Sequence, residues 1–318
     1  MRALWSSTLL PLISLMLVSG CSSGVDASVE SSTDALTSPR DARSSQYEPS
    51  AISGADRLVA VRIDTRRCAA PRCGGYFVRE LNRDADERYA SSLDLSSAGL
   101  DDASIESALA APDALVLRGR FGTVERVSGT GSFVASEVWR GMPGIDSSSD
   151  DGFFTIAPRD PPIECIVAPC PEEIATLVNS RWRLAFDGVD VAPAAAARVD
   201  ANWLAARVLD HGAVVAASWE RGPHDAGGYE WLLRTSQVYV RLPDRVGPCP
   251  AAPVTKCDAG TIPTFERNAD RCLIQVACVV PTVCPMFMPV CAAGYSLAAW
   301  AGTNGCNQFA CDPTFLTD

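Results

Sequence analysis

The chain has 318 residues, 47% of them hydrophobic and 7% aromatic, with 27 basic against 38 acidic side chains and a formal charge of −11. That charge argues against nucleic acid or an anionic lipid surface as partner, because either would repel it. Thirteen cysteines and only two histidines, His211 and His224, direct the chemistry toward sulfur and away from imidazole.

At the N-terminus a single positive charge, Arg2, precedes an apolar run from Leu9 to Val18 that is too short to cross a bilayer. This pattern is a signal peptide, not an anchor helix. The run closes on Val18-Ser19-Gly20-Cys21, which resembles the lipobox of bacterial lipoproteins: a branched apolar residue, two small residues, and the cysteine that becomes the new N-terminus. The resemblance implies that residues 1–20 are removed and that Cys21 carries a thioether-linked diacylglycerol and an amide-linked acyl chain, multiple chains making stable an anchoring that one would leave marginal. Residues 21–56 are rich in Ser, Ala, Asp and Thr and poor in large apolar side chains. They cannot bury enough surface to offset ordering, and as a disordered tether would reach on the order of 30 Å. In two-membrane bacteria an Asp after the lipidated cysteine resembles an inner-membrane retention signal; here the residue is Ser22. The expected address is therefore exported and lipid-anchored, at the outer membrane or cell surface more than the inner membrane. No segment after residue 20 is long and apolar enough to cross a membrane.

With Cys21 assigned to lipid, the remaining cysteines make an even dozen, which in an exported chain reads as up to six disulfides. A metal site fails on inventory, since neither histidine lies near a cysteine pair at zinc-ligand spacing. Redox catalysis fails as well, because no Cys-x-x-Cys occurs. No cofactor is expected.

The cysteine spacing exposes a duplication. Arg62, Cys68, Cys73 and Asn82 recur at an offset of 97 as Arg159, Cys165, Cys170 and Asn179. Downstream, Leu93-Asp94-Leu95 answers to Val189-Asp190-Val191, and an Ala-rich helical stretch follows in each copy. Ala114-Leu115-Val116-Leu117 is then set against Arg207-Val208-Leu209, and an aromatic strand closes each copy. The body is thus two repeat units, 57–143 and 152–244. Within the first, residues 58–63 and 75–81 suit two strands of a hairpin whose loop, with Pro71 and Gly74-Gly75, is closed by Cys68 and Cys73. Asp101 to Ala110 reads as a short amphipathic helix with Ile105 and Leu109 on one face, and 116–121 and 133–139 alternate as half-buried strands. The fold class is α+β, mainly β: two tandem copies of a hairpin-containing unit sharing one core, followed by small disulfide-rich modules.

The run Arg62-x5-Cys68-x4-Cys73-Gly74-Gly75-Tyr76-Phe77-Val78-x3-Asn82 resembles the opening motif of a domain-of-unknown-function family found in predicted bacterial lipoproteins. The likeness spans residues 57–244 and brings no activity or site with it. The second copy departs from it, having Pro171-Glu172-Glu173 where the first has Gly74-Gly75-Tyr76, so its turn is expected to differ.

Two four-cysteine modules complete the chain: 249–278, with Cys249, Cys257, Cys272 and Cys278, and 284–311, with Cys284, Cys291, Cys306 and Cys311. About 30 residues cannot form a hydrophobic core, so covalent bonds must supply the stability. Pairing within each module is expected, with three connectivities open in each. The spacing resembles antistasin-like inhibitor modules, with four cysteines per unit where those have six.

No catalytic residues stand out. Gly-x-Ser-x-Gly, His-Glu-x-x-His, a phosphate loop and a dinucleotide fingerprint are all missing from the sequence. His211, read between a strand at Val208-Leu209 and Gly212, and His224, in a Gly- and Pro-rich run, suit turn or surface roles. Asp146, Asp150 and Asp151 offer hard oxygens for calcium, but they lack the Asp-x-Asp-x-Asp-Gly spacing and read as a solvated linker. Among the aromatics, Trp182, Trp203, Trp219 and Trp231 suit the core, whereas Trp300, in a module with little room to bury it, suits contact. The expected function is a non-enzymatic, membrane-anchored binding or envelope-interaction protein whose partner is a surface protein or polysaccharide. A protease inhibitor acting through the C-terminal modules is the first alternative, and a polymer hydrolase the second.

Overall fold

The computed structural model describes residues 56–68, 73–122, 131–147, 150–159, 173–209, 212–223, 229–244, 249 and 255–316. The signal peptide, Cys21, nearly all of the tether, Cys165, Cys170, His211 and His224 lie outside the described residues.

The fold is α+β and mainly β. The first copy runs β1 (Arg57–Ile63), β2 (Tyr76–Glu80), β3 (Arg88–Ala90), β4 (Ser92–Asp94), α1 (Asp102–Leu109), β5 (Leu115–Phe121) and β6 (Ser132–Gly141). The second repeats that order as β7 (Gly152–Pro158), β8 (Glu173–Leu177), β9 (Arg183–Phe186), β10 (Gly188–Asp190), α2 (Ala201–Leu209), β11 (Ala213–Pro223) and β12 (Tyr229–Leu242). All of these strands join one sheet in the order β3-β2-β1-β5-β6-β12-β11-β7-β8-β9. The order is a palindrome about the β6/β12 pair, so the copies are related by an approximate two-fold axis. Each copy also lays a short strand parallel to its own last strand, β4 on β6 and β10 on β12.

The central strands are buried on both faces, as expected of strands covered from two sides. Leu115 and Leu117 of β5, with Val215 and Ala217 of β11, point into the larger core beneath the helices. Val116 and Val214 point the other way, into a second cluster assembled from matched pairs: Leu58 with Phe153, Leu81 with Val178, and Trp139 with Tyr239.

The duplicated asparagines hold this second cluster together. Asn82 and Asn179 both adopt the left-handed conformation (φ 56° and 61°), which asparagine tolerates better than most residues. Asn82 Nδ2 donates to the carbonyls of Phe153 and Val178 at 2.7 and 3.0 Å, and its Oδ1 accepts from Phe153 N–H at 2.8 Å. Asn179 returns the arrangement, donating to Leu58 and Leu81 carbonyls at 2.7 and 3.0 Å and accepting from Leu58 N–H at 2.9 Å. Every one of these bonds crosses from one copy to the other.

The other motif residues also have local reasons. β1 and β2 form the hairpin, with Ile63 opposite Tyr76, and the Cys68–Cys73 disulfide closes its loop. Gly75 must be glycine because a Cβ there would stand 2.3 Å from the Ala90 carbonyl oxygen. Arg62 lies 4.4 Å above the Phe77 ring and is paired with Glu87.

In α1, Asp101 caps the helix by accepting from Ser104 N–H at 2.7 Å, and Ala108, Ile105 and Leu109 pack on the core. The second copy corrects one expectation: Val208-Leu209 do not begin a strand but end α2, and the counterpart of β5 is β11. Asp200 accepts from the backbone of Asn202 and Trp203 and starts that helix, which then buries Trp203, Leu204 and Val208 along one face. Two apolar residues in a row, Val208-Leu209, give no period by themselves; the buried face decides. Asp151 is corrected too. It is buried just before β7 and accepts from the Ser236 hydroxyl, so it belongs to the packed body and not to a solvated linker.

Candidate binding groove at the C-terminal modules

Each C-terminal module is one antiparallel hairpin: β13 (Ile262–Arg267) with β14 (Leu273–Val279), and β15 (Tyr295–Ala301) with β16 (Asn307–Pro313). Cys249 is bonded to Cys272 and Cys257 to Cys278; Cys284 is bonded to Cys306 and Cys291 to Cys311. Both modules therefore join first to third and second to fourth cysteine.

The modules dock on the body. Tyr295, Cys311, Phe315 and Leu316 are buried in the same core as α2 and β12, Tyr295 Oη donates to the Pro143 carbonyl at 3.3 Å, and Cys311 N–H donates to the Arg198 carbonyl at 2.9 Å. Burial raises the Tyr295 phenol to about 12.

A network of buried ions completes the contact. Asp244, after β12, accepts from Trp203 Nε1 at 3.2 Å and from Arg207 of α2, and lies 3.6 Å from Arg271 of the first module. Arg267 reaches Asp200 at 3.4 Å and binds Asp312 of the second module, and Arg271 lies 3.7 Å from Asp312. Burial pulls the Arg207 guanidinium down, but the hydrogen bonds and charges of Asp244 and Asp270 outweigh it and leave that group above its ordinary value.

Arg271 shows how the modules diverged. Arg271 N–H closes the β13/β14 turn onto the Asn268 carbonyl as Gly305 N–H closes the β15/β16 turn onto Gly302. Gly305 takes φ 78° there without strain, whereas Arg271 takes φ 65° with a side chain that makes this conformation costly. The arginine is held by its buried ion pairs. Nothing in the sequence singled out Asp200, Asp244, Asp312, Arg207, Arg267 or Arg271, because they are far apart in the chain and follow no motif; an arginine at a hairpin position that the sister module gives to glycine was the available signal.

Where α2 meets the two hairpins lies an open groove of about 490 Å³. Phe265, Phe309 and Trp300 supply its rings, Asn202, Thr303 and Gln308 its exposed amides and hydroxyl, and Arg198, Asp200, Glu266 and Arg267 its charges. Trp300 is half-buried, with the Arg267 guanidinium 5.5 Å from its ring centroid, and it also borders a second hollow of about 250 Å³. The size is that of a small-molecule or saccharide site. Asp200 is ion-paired with Arg267, so the groove offers ring faces, amides, a hydroxyl and the exposed charges of Arg198 and Glu266. Among the described residues, no three His, Cys, Asp or Glu side chains are placed to hold a metal ion.

A family described as a domain of unknown function, DUF6748, matches residues 57–245. The chain belongs to that family. The DUF6748 stretch takes in both copies of the duplicated body and stops just before Cys249. The chain is also 25% identical over 279 residues to an uncharacterized protein of Dictyostelium discoideum, a match covering 84% of this chain and 90% of that protein. That likeness extends beyond the DUF6748 stretch into its flanks. No solved structure matches the chain.

Proposed function

We propose that this chain is an exported, lipid-anchored binding protein of the cell envelope, that it works without catalysis, and that the groove walled by Trp300 takes a surface polysaccharide. The observation that carries the reading is the lining of the groove: three aromatic rings beside exposed amides and a hydroxyl. Sugar rings present apolar C–H faces and a hydroxyl edge, and aromatic walls with hydrogen-bonding rims match both. Of the two carboxylates that line it, Asp200 is held in an ion pair with Arg267, which leaves the exposed Glu266 without a second free carboxylate in the lining to share acid–base work. The anchor is carried by the lipobox resemblance at Cys21 and by the spacer after it, which would hold the body within reach of the envelope.

Two measurements test the two halves. For the groove, the oxidised chain is titrated with polysaccharide isolated from the producing cell's envelope; Trp300→Ala is expected to weaken binding at least about tenfold, the order of one stacked ring removed from a contact centre. Equal binding by the variant, or none by the wild type, overturns the groove reading. For the anchor, cells fed a labelled fatty acid are expected to incorporate it into the wild-type chain and not into Cys21→Ser, and a wild-type chain without label overturns it.

A further inference from the structure

Residues 273–311 contain no Asp, Glu, Lys, Arg or His, in a chain whose formal charge is −11. Within that stretch, Val280, Val283, Met286, Phe287, Met288 and Val290 are exposed. Val283, Met286 and Val290, at 102%, 104% and 94% of full exposure, stand as free as in an unfolded peptide. Soluble surfaces seldom gather large apolar side chains so closely without an occupant.

We infer that the loop between Cys284 and Cys291 is a lipid-inserting tip that enters the uncharged hydrocarbon edge of a bilayer. Three features select lipid over a protein partner. The loop's apolar side chains project into solvent, whereas a protein interface would add a polar rim and hydrogen-bonding groups around its apolar centre. Three of its backbone positions have no amide to dehydrate: Pro285 and Pro289 have no N–H, and Phe287 N–H is satisfied internally by the Pro285 carbonyl at 3.0 Å. Unsatisfied amides are the main cost of entering hydrocarbon, so the irregular backbone stays at headgroup depth and the side chains alone go deeper. Finally, the Cys284–Cys306 and Cys291–Cys311 disulfides fix both ends of the loop, so little chain entropy is lost on insertion. The exposed Arg198 lies 5.0 Å over the Phe287 ring, where a cation would meet lipid phosphate while the ring lies deeper.

The inference draws on the exported, tethered reading only for where the bilayer would be found, so it is tested without the anchor. Oxidised chain from Ser22 onward, without the signal peptide and Cys21, is floated with vesicles of zwitterionic phosphatidylcholine. The expected result is co-flotation that persists to about 1 M salt, where charge attraction is screened to about 3 Å. Phe287→Trp should shift its emission to the blue when vesicles are added. Met286→Asp with Met288→Asp should lower the partition coefficient at least about tenfold, the order expected for withdrawing buried side chains of this size, with melting unchanged because both positions are exposed. Failure to float, flotation lost in high salt, or equal flotation by the double variant overturns the inference. So does a wild-type dimer in sedimentation that the same substitutions dissociate, which would make a second copy the occupant, or protease inhibition abolished by them. None of these outcomes touches the Trp300 groove or the Cys21 anchor.

Discussion

Asn82 and Asn179 each spend a whole side-chain amide on the opposite copy, and they do so from a backbone conformation that disfavours most replacements. Replacing Asn82 with Ala would remove three hydrogen bonds, leave the Phe153 and Val178 backbone short of partners, and place a Cβ-bearing residue without a polar side chain at positive φ. At about 1 kcal/mol per bond, the expected loss is about 3 kcal/mol, read as a lowered urea midpoint. Asn179→Ala should cost the same within error, because its bonds are the counterparts of the first set. A large difference between the two would mean that the clamp is not symmetric in energy. The pair was visible in the sequence as a match at constant offset, yet its purpose was not. Spacing shows that two residues correspond, and only the fold shows that each serves the other copy.

At the level of the hairpins and helices, local signals carried most of the reading. Asp101 ahead of an amphipathic run made α1 legible, whereas Val208-Leu209 misled because a short apolar run has no period until its neighbours are buried. The β15 strand carries a testable charge effect through Tyr295. Its phenol lies at about 12 in the folded protein, above the ordinary value near 10, because burial disfavours the anion. Between about pH 10 and pH 12 the unfolded chain releases that proton and the folded chain keeps it, so stability is whole below this window and falls as pH rises through it. The Tyr239 phenol is also raised by burial and acts in the same direction. Melting followed across that window should show the decline, and Tyr295→Phe should reduce it by up to about 2 kcal/mol. An unchanged slope in the variant would contradict the burial argument.

For the molecule as a whole, the cysteine modules are not appendages: buried ions and a shared core fix them to the second copy. Removing one partner of such a network leaves charge buried without compensation, which costs more than the network itself contributes. Asp244→Ala would leave Arg207 with Asp270 and Arg271 with Asp312, and take an acceptor from Trp203. The expected loss is about 3 kcal/mol, at the low end for a broken buried pair because secondary partners remain. Chemical denaturation of the oxidised chain measures it, and a loss below about 1 kcal/mol, the range of an exposed pair, would show that the network is solvated.

The amino-acid sequence by itself determined the duplication, the α+β class with its preponderance of strands, and the presence of cysteine modules too small to hold themselves together by burial alone. These follow from periodicity, spacing and composition, which are local or repeat at constant offset. Tertiary structure decided which asparagine reaches which backbone, which of three cysteine connectivities each module takes, and how Arg267, Arg271, Asp200, Asp244 and Asp312 come together beside Trp300. Those outcomes depend on residues far apart in the chain, whose only relation is the folded geometry that makes a buried charge tolerable where another can meet it.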